Sequence, residues 1–72
     1  MDMLEEIATR TGWKTTEWQD NGGILHAPNR SASVYRRGEV YDVYLHGKTN
    51  GIVPTKTMNN MDEVVEYLNA IA

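Results

Sequence analysis

The sequence predicts an α+β fold, an antiparallel three- to four-stranded meander with an N-terminal and a C-terminal helix packed on one face. Three observations carry this. Apolar residues recur at helical spacing at both ends, as Leu4 and Ile7 near the start and Val64 and Leu68 near the end. Between them, from Trp13 to Thr57, β-branched and aromatic residues are frequent, as strands prefer. Clusters of glycine and asparagine punctuate that stretch at Asn21-Gly22-Gly23, Gly38 and Asn50-Gly51. Two amphipathic helices on one face of a meander make a two-layer sandwich, which leaves the other sheet face to solvent or to a partner.

In the first helix Asp2 is placed to cap, with Glu5 three residues on completing a capping box. Met3, Leu4, Ile7 and Ala8 form its apolar stripe, and Gly12 is placed to stop it. Trp13-Lys-Thr-Thr-Glu-Trp18 reads as a strand whose two tryptophans differ in parity, so one of them is expected to be partly exposed. Asp20-Asn21-Gly22-Gly23 reads as a turn, and Ile24 to Ala27 as a short strand ended by Pro28, which cannot donate to a ladder.

Ala32 to Leu45 is the clearest hairpin. A two-residue turn at Arg37-Gly38 sets Arg36 opposite Glu39, Val34 opposite Tyr41 and Ala32 opposite Val43. A bulge at Gly38 is the alternative, and it shifts that register. Ala32, Val34, Tyr41, Val43 and Leu45 then share the core face, and Ser33, Tyr35, Val40, Asp42, Tyr44 and His46 the opposite one. Ile52-Val53-Pro54 reads as a short edge strand or an extended loop. The last helix is capped by Asn60, carries Asp62 and Glu63 in its first turn, and buries Met61, Val64, Val65, Leu68 and Ile71.

At 72 residues the chain reads as one α+β domain over 1–72. It has no cysteine, which excludes disulfides and thiolate metal sites and suits a reducing compartment. No apolar run approaches the roughly 18–20 residues a bilayer span needs, and the start is acidic rather than signal-like. A cytoplasmic location is therefore expected. Ten acids against seven bases give a net charge of −3, too mild for a nucleic-acid mimic and the wrong sign for a generic nucleic-acid binder.

Nothing in the sequence names a chemistry. His26 and His46 stand in no metal-ligand spacing, Ser31 and Ser33 lack a nucleophile elbow, and Gly22-Gly23 is too short to cradle phosphate. The expectation is a non-enzymatic protein-binding module without cofactor or metal. Its contact surface is assigned to Tyr35, Arg36, Arg37 and Tyr44, with Trp18 as an outlying candidate, because tyrosine, tryptophan and arginine are the types enriched at interface hot spots. One alternative is a small nucleic-acid-binding domain using the 32–46 hairpin, drawing on Arg30, Arg36, Arg37, Lys48 and Lys56. Another is a self-associating structural or regulatory subunit, a homodimer paired through the open sheet face or the Ile52–Thr57 edge.

Two resemblances accompany this reading. The order helix, strands, helix, with Gly23 to Pro28 followed by Val34 to Tyr44, resembles the double-stranded-RNA-binding domain. Where that family has a lysine-rich start to its last helix, this chain has Met61-Asp62-Glu63. In size, acidity, lack of cysteine and element order the chain also resembles small phage-encoded inhibitors of the anti-CRISPR type. That resemblance implies a phage or mobile-element accessory protein, acting in the host cell cytoplasm, that blocks a host factor by occupying its surface.

Overall fold

The chain order is α1 (Met3–Thr11), β1 (Lys14–Gln19), β2 (Gly22–Ala27), β3 (Arg30–Arg37), β4 (Val40–Leu45), β5 (Lys56–Met58) and α2 (Met61–Ile71). The computed structural model describes residues 3–19, 21–47 and 53–72, with the backbone alone for 16–19. All neighbouring strands pair antiparallel in sequence order, so the expected meander is present, with five strands among the described residues where three or four were expected. The last strand is Lys56–Met58, and Val53 and Pro54 precede it outside any strand. Pro54 has no N–H for a ladder, and pairing with β4 begins two residues later, at Lys56 opposite Val43. Ile52 and the Asn50-Gly51 turn lie outside the described residues, as do the Asp2 cap and Lys48.

Both helices lie on one face, α1 over β1 and β2, α2 over β4 and β5, and they touch each other. Alternation along the strands supplies the other half of the core: Leu25, Ala32, Val34, Val43 and Leu45 point at Leu4, Ile7, Val64, Val65 and Leu68. Ile7, Leu25, Val34, Val43, Val64 and Leu68 are fully buried. Each such side chain contributes about 1.5–3 kcal/mol. Gly12 ends α1 at φ 82°, its N–H donating to the Ala8 carbonyl at 2.8 Å.

The hairpin turn falls at Gly38-Glu39, with Gly38 at φ 65°. Arg37 therefore stands opposite Val40, Arg36 opposite Tyr41, Val34 opposite Val43 and Ala32 opposite Leu45. The expected register is displaced by two positions, so the Arg36–Glu39, Val34–Tyr41 and Ala32–Val43 pairs are replaced. An even displacement keeps every side chain on its expected face, which is why the core assignment survives. Gly22 and Gly23 belong to β2 rather than to a turn. Trp13 precedes β1 and is buried, and a bulge between Thr15 and Glu17 breaks the alternation on which the two-tryptophan parity argument depended.

The start of α2 follows the sequence closely. Asn60 is extended at φ −154°, ψ 166°, and its side-chain oxygen accepts from the Glu63 N–H at 2.9 Å. Glu63 reaches back to accept from the Asn59 N–H at 3.0 Å. Asn60→Ala is expected to cost about 1 kcal/mol. At this chain length that lowers the melting temperature by about 4–8 °C, read by circular dichroism.

Candidate interaction face

The sheet face away from the helices is ordered in rows set by the ladder. At one end Lys14, His26, Ser31 and His46 lie side by side across β1 to β4, His46 joining through its N–H to the Ser31 carbonyl at 3.1 Å. The next row holds Ile24, Ser33 and Tyr44. Then come Gly22, Tyr35, Asp42 and Thr57, and beyond them Arg37 with Val40.

Tyr35 and Tyr44 occupy diagonal positions, within reach for aromatic side chains. Their rings meet edge to face, centroids 6.0 Å apart at 78°. Such a pair contributes about 0.5–1.5 kcal/mol beyond its buried area, and it fixes both rings as a ridge.

Ser33 and Asp42 are buried although they lie on the face away from the helices, because longer neighbours stand around them. Ser33 Oγ lies 2.8 Å from His46 Nε2, and Ser31 Oγ lies 2.8 Å from His46 Nδ1. In the neutral imidazole one nitrogen donates and the other accepts, so two hydroxyls satisfy the ring in either tautomer. A serine against an imidazole held by a second group is also the beginning of a nucleophile–base arrangement. Acyl transfer further needs N–H donors aimed at a developing oxyanion. β3 sits between β2 and β4, and its backbone donors go to those ladders.

Asp42 accepts from Arg37 Nε at 2.9 Å and from Thr57 Oγ1 at 3.0 Å, with Arg37 Nη2 at 3.4 Å. The Arg37 hydrogen bond holds the Asp42 carboxyl below the ordinary carboxylate range; burial opposes this, and the Thr57 hydrogen bond and the Arg37 charge add to it. The same bond raises the Arg37 guanidinium further. With the folded value depressed, the stabilisation is present at neutral pH. It is lost as the pH falls through the ordinary carboxylate range toward the folded value. Asp42→Asn is therefore expected to melt below the wild type at about pH 7, with the gap narrowing as the pH falls below the ordinary carboxylate range. A gap constant with pH would contradict the assignment.

Of the expected contact residues, Tyr35, Tyr44 and Arg37 come together on this face. Arg36 does not. It shares strand parity with Val34, its N–H donates to the Asn21 carbonyl at 2.6 Å, and its Nε donates to the Gly38 carbonyl at 3.0 Å. Trp18 pairs through its backbone with Gly23, and its side chain lies outside the described residues. The bases put forward for nucleic acid are dispersed. Arg30 and Arg36 have core-face parity at strand ends, and Lys56 stands over the Tyr67 ring on α2 at 5.5 Å, which among the described members of that set leaves Arg37 on the open face. Ser31, Ser33 and His46 were not legible as a cluster, because the register set by an Arg37-Gly38 turn puts Asp42 opposite Ser33 and Tyr44 opposite Ser31.

Among the described residues no three of His, Cys, Asp and Glu gather as metal ligands, and no helix is long and apolar enough to cross a membrane. No family model matches this chain. Neither a curated protein nor a solved structure matches it.

Proposed function

We propose that this domain is a protein-binding module without catalytic activity, and that its contact surface is the open sheet face centred on Tyr35 and Tyr44 with Arg37 beside them. The observation that carries the reading is the edge-to-face tyrosine pair, held rigid on a sheet face away from both helices and flanked by an arginine whose side chain is 70% exposed. Tyrosine offers large contact area at a small cost in conformational freedom, and arginine orients a partner through several donors. Two of the five Arg37 donors are directed at Asp42, which fixes the guanidinium in place.

The size and element order shared with small phage-encoded inhibitors extend this proposal to a consequence. An 8.2 kDa domain with a rigid binding face inhibits a larger partner by covering a working surface. Affinity capture from a lysate of the source cell, with and without nuclease, tests the reading. A stoichiometric protein that survives nuclease and requires Tyr44 is the expected result. Recovery of nucleic acid, or bands lost on nuclease treatment, would replace it with a nucleic-acid-binding role.

A further inference from the structure

We propose that Ser31 is a self-activated acylation site, which with His46 as its base takes the acyl group of one activated donor, an aryl ester or an acyl phosphate, and keeps it. This goes beyond the binding role and does not depend on it, because the donor is a small molecule and the reaction is a single transfer.

The arrangement comes from the pairing of β3 with its neighbours. On the open face Ser31 stands between its ladder partner His26 and His46, whose backbone N–H donates to the Ser31 carbonyl at 3.1 Å. That bond holds the imidazole beside Ser31, with Nδ1 2.8 Å from the Ser31 hydroxyl and Nε2 2.8 Å from the Ser33 hydroxyl. The two serines are not equivalent. Ser33 is buried, whereas Ser31 is half-buried in a row whose His26 and His46 are exposed. A reagent arriving from the open side therefore reaches Ser31 first. With the imidazole proton on Nε2, that N–H donates to Ser33 Oγ and Nδ1 accepts from the Ser31 hydroxyl. Ser33 then orients the base, and Ser31 is the nucleophile.

Nδ1 takes the hydroxyl proton as Ser31 Oγ attacks the acyl carbon. The bond from that carbon to the leaving oxygen breaks, the oxygen keeps the electron pair, and the imidazolium returns the proton to it. The products are an ester on Ser31 and a phenol or phosphate. The backbone donors of β3 are engaged in its ladders, so the tetrahedral oxyanion is stabilised less than in a hydrolase. This selects donors with a good leaving group, and it leaves the alkyl ester on Ser31 unhydrolysed. A cavity of about 300 Å³ at the same end of the sheet is lined by Gly12, Lys14, His26, Ala27 and Pro28. Lys14 and His26 belong to the Ser31 row, which sets the cavity beside the nucleophile, and Ala27 and Pro28 give it an apolar wall for an acyl chain.

Incubation of the full chain with p-nitrophenyl acetate tests the proposal, with nitrophenolate release and mass mapping of the acetylated residue as readouts. The expected result is one equivalent of nitrophenolate above background hydrolysis and a stable acetyl group on Ser31. His46→Gln can still hydrogen-bond the serines but cannot take the proton, so Ser31 acetylation is expected to slow about a hundredfold. A melt of the same variant separates loss of the base from loss of the fold. In the unaltered protein Ser31 is expected to react at least about tenfold faster than the exposed Thr9 hydroxyl, a comparison that needs no variant. Acetyl groups confined to Lys14 and other amines, equal labelling of Ser31 and Thr9, or a Ser31 rate unchanged in folded His46→Gln would overturn the proposal. Continued turnover of the ester through Ser31 would overturn the single transfer in favour of a hydrolase.

Discussion

Gly22→Ala is expected to cost this domain its cooperative fold. Gly22 is the first residue of β2 and pairs with Tyr35 of the central strand β3. A Cβ there would run into the Val34 carbonyl oxygen, and would lie 2.7 Å from both Cα and Cδ1 of Tyr35. Two of those three atoms are backbone, so relief requires β2 and β3 to part or Tyr35 to leave its position. Overpacking of this kind costs about 1–3 kcal/mol and more where the backbone cannot yield. A single small core without disulfides supplies only about 3–5 kcal/mol in total. Gly38→Ala is the control. It meets nothing within 4 Å and is opposed only by its φ of 65°. Thermal melts by circular dichroism should show a lost or strongly lowered transition for Gly22→Ala and a modest shift for Gly38→Ala. Equal, small shifts would mean that the close approach of β2 to β3 is absent in solution.

The second large effect concerns binding. Arg37→Ala combined with Tyr44→Ala is expected to weaken a captured partner by at least a hundredfold. Truncating a hot-spot tyrosine or arginine commonly costs about 2 kcal/mol or more, and about 1.4 kcal/mol is tenfold in affinity. Removing Arg37 also leaves Asp42 with Thr57 alone, so some loss of stability accompanies the loss of affinity. Tyr35→Ala with Tyr44→Ala separates the two effects, because it leaves the Arg37–Asp42 pair intact. Isothermal titration of each folded variant against the captured partner measures the change. Unaltered affinity in both would place the contact elsewhere on the molecule.

The parts of this account legible in the sequence are those fixed by local chemistry. Asn60 caps α2 as its side chain and position require, and Gly12 closes α1. Period-two alternation sorted Val34 and Val43 from Tyr35 and Tyr44, and an even displacement of register could not undo that sorting. What was not legible depends on pairing between strands. The turn at Gly38-Glu39 decides that Ser31 meets His46, and a one-residue difference in turn position moved every cross-strand partner by two. Gly22 looked like a turn residue because glycine commonly marks turns, whereas a glycine inside a strand also marks close backbone approach. Arg36 and Arg37 are adjacent in sequence and for that reason point to opposite faces of β3. A surface assembled from neighbouring residues of one strand is therefore divided between two faces of the sheet.

The most direct test of the central claim is a map of amide chemical-shift changes in the isotope-labelled domain as the captured partner, or its binding fragment, is added. The changes are expected to concentrate on Ser31 to Arg37 and Val40 to His46, with α1 and α2 silent. Changes concentrated on the two helices, with β3 and β4 unaffected, would contradict it.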